Sequence, residues 1–264
     1  MKNKNLTQHI AWLLKEKYGG ELTNKAKKDI EKIKAGEPVD YLIGFKYFLD
    51  CKIDLSKRPL IPRPETEFWT KLAINEIKKS KKNIKVLDIF SGSGCVGVAI
   101  LRHCNNLLCD ISEKDENLIK QIKKNLKINK INKKRYRVIK SDIFENIKNK
   151  YDFILANPPY ISTKNKNKVL QSTLKFEPGM ALFGGGDGLY YINKFLRQAK
   201  NYLLENGTIY MEFDSPQKSS IEKLLKKYKY SKWQFYKDQF GKERWVVIKY
   251  EHDFTYIINR SKIK

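Results

Sequence analysis

The 264-residue sequence predicts an α/β domain built on a doubly wound, mostly parallel seven-stranded sheet, with a small helical appendage at its N-terminal side. Three observations predict it. Strand-like and helix-like stretches alternate from about residue 84 onward. Several strand candidates, such as Val86-Leu87-Asp88-Ile89-Phe90 and Phe153-Ile154-Leu155-Ala156, are almost continuously apolar, as parallel strands covered on both faces are. A glycine-rich turn joins the first of these strands to the next helix.

Residues 1–37 read as helical. Ile10, Leu13, Leu14 and Tyr18 keep one face apolar, and Gly19-Gly20 stops the helix. Leu22-Thr23 then opens a Lys-rich stretch that ends at Gly36. Residues 38–67 read as a β-hairpin linker, because 39–48 alternates and is rich in aromatic residues, a pattern of short strands around a turn. Two prolines in Ile61-Pro62-Arg63-Pro64-Glu65-Thr66-Glu67 forbid a regular ladder there. A helix is expected just after, with Glu65 and Glu67 in its first turn. Residues 68–250 form the main domain. Its strand candidates are 84–90, 106–110, 136–140, 151–156, 207–213, 233–236 and 244–250, with helices at 96–103, 113–128, 189–204 and 216–228. The last two strands follow each other without a helix, which predicts an antiparallel pair at one edge. Lysines at 78–82 and at 164, 166 and 168 read as solvated loops, and 251–264 as a basic tail.

Hydrophobic residues at 41% and aromatics at 12% exclude global disorder. No run approaches 18 apolar residues, so no membrane span is expected. The N-terminal residues lack the apolar core and small-residue cleavage site of a secretory signal, so a cytoplasmic location and a monomer are expected. The 54 Lys and Arg against 29 Asp and Glu leave a net charge of +25. Such a balance favours polyanions, whether nucleic acid, ribosome or an acidic protein surface. Only eight of the basic residues are Arg, however, and Lys accompanies abundant Asn and Ile, a skew that an AT-rich genome also produces. Charge alone names no partner. Cys51, Cys95, Cys104 and Cys109 have no C-x-x-C spacing, and His9, His103 and His252 are scattered, so neither a disulfide framework nor a metal site reads out.

Gly92, Gly94 and Gly97 satisfy G-x-G-x-x-G between strand and helix, the context that gives the pattern meaning. Glycines let the backbone turn sharply and approach a ligand, while the helix N-terminus offers free N–H groups. Asp110, 18 residues after Gly92, is expected to end the second strand, where a carboxylate accepts hydrogen bonds from ribose hydroxyls. The pattern indicates an adenosine-containing cofactor without separating NAD from S-adenosylmethionine. A phosphate-binding P-loop is excluded, because no Gly-Lys-Ser/Thr follows the glycines.

The fourth strand runs into Asn157-Pro158-Pro159-Tyr160. Ligands of open α/β sheets bind beyond the carboxyl ends of the strands, so this tetrapeptide belongs in the same crevice as the glycine turn. Prolines fix the backbone and remove N–H groups, leaving carbonyls as rigid acceptors. The Asn157 side-chain oxygen and the Pro158 carbonyl can then receive both hydrogens of a planar NH₂ group, with the Tyr160 ring over its flat face. The arrangement suits a nitrogen nucleophile on an sp² centre; the plainer reading is an ordinary turn.

Together these residues resemble the amino group of class I S-adenosylmethionine-dependent methyltransferases, and more narrowly the HemK/PrmC release-factor glutamine methyltransferases. The likeness spans roughly residues 22–250. It is carried by Glu37-Pro38-Val39-Asp40-Tyr41-Leu42-Ile43-Gly44, by 60–67, by the glycine turn, by Asn157–Tyr160, and by Glu177-Pro178 leading into 181–189. The resemblance implies a Rossmann-like methyltransferase sheet and methylation of the glutamine side-chain amide in the Gly-Gly-Gln motif of class I peptide-chain release factors. It implies that Phe90, Ser91, Gly92, Ser93, Gly94 and Asp110 hold S-adenosylmethionine and its product S-adenosylhomocysteine, without a metal. Asp142 and Ile143 then lie near the adenine, and Asn157 reaches the cofactor as well. Asn157, Pro158, Pro159 and Tyr160 hold the glutamine amide, with Asn157, Pro158 and Tyr160 as the catalytic group. Two departures stand out. Phe90 occupies a position where the family usually has glycine, and only 37 residues precede Pro38, fewer than the family's N-terminal helical domain. The competing readings are a DNA or RNA adenine methyltransferase, a ribosomal-protein glutamine methyltransferase, a basic scaffold without chemistry, and an NAD oxidoreductase. The first lacks a target-recognition insertion of adequate size and needs base flipping. The second usually lacks the Glu-Thr-Glu ending, and the last lacks a proton donor for a carbonyl.

Overall fold

The computed structural model describes residues 3–80 and 83–250, so the basic tail at 251–264 and Lys81 and Lys82 lie outside the described residues. The N-terminal region holds α1 (Asn3–Tyr18), α2 (Asn24–Lys34) and α3 (Val39–Ile43), followed by the hairpin β1 (Phe45–Phe48) and β2 (Cys51–Asp54). The main domain then runs α4 (Pro64–Lys79), β3 (Ile84–Ile89), α5 (Cys95–His103), β4 (Leu107–Glu113), α6 (Glu116–Ile128), β5 (Tyr136–Lys140) and β6 (Tyr151–Ala156). It ends with α7 (Gln171–Phe176), α8 (Gly179–Leu182), α9 (Tyr190–Ala199), β7 (Leu203–Glu212), α10 (Lys218–Lys227), β8 (Lys232–Lys237) and β9 (Glu243–Lys249).

The seven-stranded sheet has the order β5-β4-β3-β6-β7-β9-β8. Neighbours from β5 to β7 are parallel, whereas β9 is antiparallel to both β7 and β8. The expected fold class is the one observed. Strand order reverses between β3 and β6, which makes a crevice at their carboxyl ends. One face of the sheet packs against α4, α5, α6 and the hairpin through residues such as Trp69, Val98 and Ile122. The other face packs against α9 and α10 through Ile192, Phe195 and Ile221. Among the described residues no helix is long and apolar enough to cross a membrane.

The N-terminal helices bury their own small cluster of Leu13, Ile33, Val39, Leu42 and Ile43. It is pinned by Asp29, which accepts from Lys17 Nζ (2.8 Å), Tyr18 Oη (2.7 Å) and Lys32 Nζ (3.0 Å) and is held down at about 2 against the cost of its own burial. The strand reading of 39–48 is corrected in its first half, because Val39–Ile43 is helical and ends on Gly44 in the left-handed region (φ 91°). Val39, Leu42 and Ile43 are spaced i, i+3, i+4, so a helical turn buries all three at once, which an alternating strand cannot do. Helix α4 begins at Pro64, inside the two-proline stretch, because proline is pre-organised for a first helical position.

The second strand of the hairpin and the chain after it are held by amide side chains of α6 and of Asn129, which caps its C-terminal end. Lys52 N–H donates to Asn129 Oδ1 (3.0 Å), Asp54 N–H to Asn125 Oδ1 (2.8 Å) and Lys57 N–H to Gln121 Oε1 (2.8 Å). Asn125 Nδ2 in turn donates to the Ser93 carbonyl (2.9 Å), tying the hairpin to the glycine turn.

Candidate active site

A cavity of about 270 Å³ opens at the crevice, walled by the glycine turn, by the ends of β4 and β6, by the loop after β5 and by the chain around α8. Its floor is the turn after β3. Gly92 (φ 54°) and Gly94 (φ 77°) take left-handed conformations, and Gly94 caps α5. A Cβ on Gly92 would meet no protein atom within 4 Å, so the space beside it is open to a ligand. Gly97 has a different reason. A Cβ there would lie 2.8 Å from the Ile111 side chain and 2.9 Å from Asp88 Oδ2, so only glycine lets α5 rest on β3 and β4. Its N–H donates to Asp88 Oδ2 (2.9 Å). Asp88 is 2% exposed, and burial pushes its carboxyl up to about 7 against that hydrogen bond.

Phe90 is also left-handed (φ 60°). Its ring stands edge-on to Tyr191 and Phe195 of α9, with centroids 6.2 and 6.1 Å away, so the bulky side chain leans on a helix and forms one wall of the cavity. Asp142 and Ile143 reach the cavity from the loop after β5, where Lys114 Nζ donates to Asp142 Oδ2 (2.6 Å). Ile143, though β-branched, has φ 53°; the Ser141 hydroxyl donating to its carbonyl (2.9 Å) helps hold that conformation.

Asp110 is a correction. Strand β4 runs on to Glu113, so Asp110 sits in mid-strand, outside the cavity wall. It accepts from Arg137 Nε (2.7 Å) and Nη2 (2.5 Å), from Tyr151 Oη (2.7 Å) and from Asn149 Nδ2 (3.2 Å). No helix lies between β5 and β6, and this polar cluster occupies the sheet surface there. The carboxylate at the strand end is Glu113. It lines the cavity, and its two oxygens accept from the N–H groups of Gly92 (2.8 Å), Lys114 (2.7 Å) and Asp115 (3.0 Å). Burial raises its carboxyl, opposed by those three backbone donors. Counting from the glycine turn could not separate Asp110 from Glu113, because the strand's length was the missing quantity.

Asn157 and Pro159 line the cavity, while Pro158 is buried and neither it nor Tyr160 forms part of the wall. The Tyr160 ring, expected over a substrate amide, packs toward the core on the α9 and α10 face of the sheet, and its hydroxyl donates to Glu212 Oε1 (3.0 Å). Asn157 Nδ2 donates to Thr66 Oγ1 (3.1 Å), which leaves the acceptor Oδ1 for a ligand. Behind the tetrapeptide lies a glycine loop. A Cβ on Gly184 would sit 2.5 Å from the Pro159 carbonyl oxygen, and one on Gly188 would sit 2.2 Å from that of Tyr160. Glycine at both positions lets the loop brace Asn157–Tyr160 backbone to backbone.

Sequence reasoning gave no individual role to Thr66, Glu177 or Glu212. Glu177, 6% exposed, accepts from Arg63 Nη2 (2.6 Å) and from Ile61 N–H (3.1 Å), joining the two-proline stretch to the chain before α8. Glu212 ends β7 and accepts from Thr66, Trp69 and Tyr160. Burial raises its carboxyl and those three donors oppose the rise. A buried carboxylate in an otherwise apolar strand, Ile209-Tyr210-Met211-Glu212-Phe213, was the available signal for the last of them.

Residues 65–200 match the family model of the methyltransferase small domain, just over half of the chain. The release factor glutamine methyltransferase of Lactococcus lactis is 30% identical over 251 residues, covering 94% of this chain and 91% of its own. That of Streptococcus pneumoniae is 33% identical over 252 residues, covering 94% and 88%. The chain belongs to the release factor glutamine methyltransferase family. A solved methyltransferase from Pyrococcus furiosus shares the fold, with a TM-score of 0.57 at 17% identity over 85% of this chain and 99% of that one. Within the release factor glutamine methyltransferase family, the cavity of this chain has its glycine turn, its Asn157 and its two-proline stretch in one place.

Proposed function

We propose that the protein transfers a methyl group from S-adenosylmethionine to the side-chain amide nitrogen of the glutamine in the Gly-Gly-Gln motif of class I peptide-chain release factors. Beyond family membership, one observation carries the reading: Asn157 has its NH₂ engaged by Thr66 and keeps its acceptor oxygen for a partner in the cavity. The cavity fits the cofactor. The open space beside Gly92 admits a ligand close to backbone, Glu113 Oε2, with one backbone donor, would accept from a ribose hydroxyl, and Asp142 and Ile143, which line the cavity, would flank the adenine. When bound, S-adenosylmethionine supplies an electrophilic methyl group.

The chain's own task is to aim a poor nucleophile. An amide nitrogen shares its lone pair with the carbonyl, so it reacts only when turned and held. Asn157 Oδ1 accepts an amide hydrogen, which orients the nitrogen lone pair into the cavity. Holding the nitrogen in this way replaces a chance encounter by a fixed approach, which supplies most of the rate. No strong base is required of the tetrapeptide, because an N-protonated amide is acidic enough to release its proton to water.

The test is transfer of labelled methyl to a release factor, to the same factor with the motif glutamine replaced, and to DNA. Label is expected on the first alone. Labelled N6-methyladenine, with an unlabelled release factor, would overturn the reading in favour of a nucleic-acid substrate.

A further inference from the structure

The Asn157 amide can be hydrogen-bonded in two ways that differ by exchange of its nitrogen and oxygen, and only one presents an acceptor to the substrate. Its neighbour decides between them. Thr66 is 2% exposed and Glu212 1% exposed, both well inside the protein. Glu212 Oε2 accepts from Thr66 Oγ1 at 2.7 Å and from Trp69 Nε1 at 2.7 Å, while Oε1 accepts from Tyr160 Oη at 3.0 Å. A hydroxyl has one proton to give. Thr66 gives its proton to Glu212, so toward Asn157, 3.1 Å away, its oxygen can only accept. The NH₂ end of Asn157 must therefore face Thr66. Exchanging nitrogen and oxygen would set two acceptors against each other in a buried place and lose a hydrogen bond.

We infer that Glu212, acting through Thr66, is a positioning residue of the methyl-transfer site: it sets the polarity of the Asn157 amide so that Oδ1 is turned to the substrate. Uptake of a proton by the carboxylate does not change this direction. The indole N–H of Trp69 is a donor only and claims Oε2, so a proton would be carried on Oε1, toward the Tyr160 oxygen, and Oε2 would still accept from Thr66. Tyr160 is held by the same carboxylate, which anchors the far end of the tetrapeptide. The geometry also accounts for the threonine within Pro64-Glu65-Thr66-Glu67: the first turn of α4 brings a hydroxyl between the ends of β6 and β7. This inference rests on the reading that Asn157 receives the substrate amide.

Three substitutions test it, each in the full chain with release factor as methyl acceptor. Glu212→Leu removes the acceptor at similar volume, which frees Thr66 to donate to Asn157 and turn its amide over. Thr66→Val removes the relay at equal volume, and Thr66→Ser restores it. The expected result is a fall in single-turnover rate of about 10- to 100-fold for Glu212→Leu and Thr66→Val. Affinity for S-adenosylhomocysteine should stay within about threefold in both, and Thr66→Ser should recover most of the rate. On an Asn157→Ala background, Thr66→Val should lower the rate no further, because the group it positions is gone. Near wild-type rates in folded Thr66→Val and Glu212→Leu, beside a slow Asn157→Ala, would overturn the inference alone. A near wild-type rate in Asn157→Ala would overturn the reading of Asn157 on which it rests. Should Glu212→Leu fail to fold, the Thr66→Val and Thr66→Ser pair decides, since a purely structural role predicts equal rates for the two once both are folded.

Discussion

Replacing Asp110 by alanine separates a strand-end ligand from a mid-strand structural carboxylate. The structure predicts a loss of stability with no loss of cofactor affinity. Asp110 receives two hydrogen bonds from Arg137, one from Tyr151 and one from Asn149. The Arg137 side chain is 61% exposed, so its guanidinium can turn to water once the partner is gone, and the ion pair accounts for about 0–1 kcal/mol. Tyr151 is 1% exposed, and its hydroxyl would be left buried without an acceptor, at a cost of about 1–3 kcal/mol. The sum, roughly 1–4 kcal/mol, corresponds for a chain of this size to a fall in Tm of roughly 2–15 °C. The control is Glu113→Ala. Loss of a charge-assisted hydrogen bond to a ribose hydroxyl costs about 1.5–3 kcal/mol, so affinity for S-adenosylhomocysteine should fall roughly tenfold to a hundredfold. Thermal melts and titration calorimetry on the same preparations read both quantities. An Asp110→Ala protein with unchanged Tm and tenfold weaker binding would refute the assignment of cofactor binding to Glu113 rather than Asp110.

Other expectations follow from single contacts. Asp88, pushed up to about 7 by burial, keeps a proton in the folded state that the unfolded chain releases near pH 4, so it binds more protons when folded within that window. Its contribution to stability is therefore present below about pH 4 and is lost as pH rises to about 7, by an amount on the order of 4 kcal/mol; denaturant unfolding of wild type and Asp88→Asn should diverge across that range, and parallel curves would refute it. Gly97→Ala should cost roughly 1–3 kcal/mol by forcing a methyl group against Ile111 and Asp88 Oδ2, measured by chemical denaturation, and a neutral effect would show that α5 can lift from the sheet. Phe90→Gly and Phe90→Ala both lose the edge contacts with Tyr191 and Phe195, but only glycine relaxes φ 60° at no steric cost. The glycine variant should be the more stable by about 1 kcal/mol in calorimetry, and the opposite order would place the conformational strain elsewhere.

The fold and the place of the site were encoded locally, whereas the identities of several site residues were not. Apolar runs such as Phe153–Ala156 betray parallel strands because both of their faces are covered, and the spacing of Gly92, Gly94 and Gly97 betrays a strand–helix turn because glycine takes the left-handed conformations at 92 and 94 without strain and leaves room for the close contact at 97. These signals lie within a few residues of one another, so they survive in a linear reading. The same is true of Asn157–Tyr160, whose position after a buried strand is enough to bring it to the crevice.

What only the tertiary structure decided is which distant groups meet. The strand end moved from Asp110 to Glu113 because the length of β4 is set by its pairing with β3 and β5, not by its own composition. The helix at Val39–Ile43 won over the strand pattern because α1 and α2 offered an apolar surface that a helical turn covers better. Thr66, Asn157 and Glu212 come from a helix start and two neighbouring strand ends, as far as 146 residues apart in the chain. A buried hydrogen bond has direction and needs donor and acceptor within about 3 Å, and sequence separation carries no trace of either. The sequence alone could therefore say that an amide would stand at the crevice; which of its two ends faces the cavity was settled by a carboxylate on the next strand.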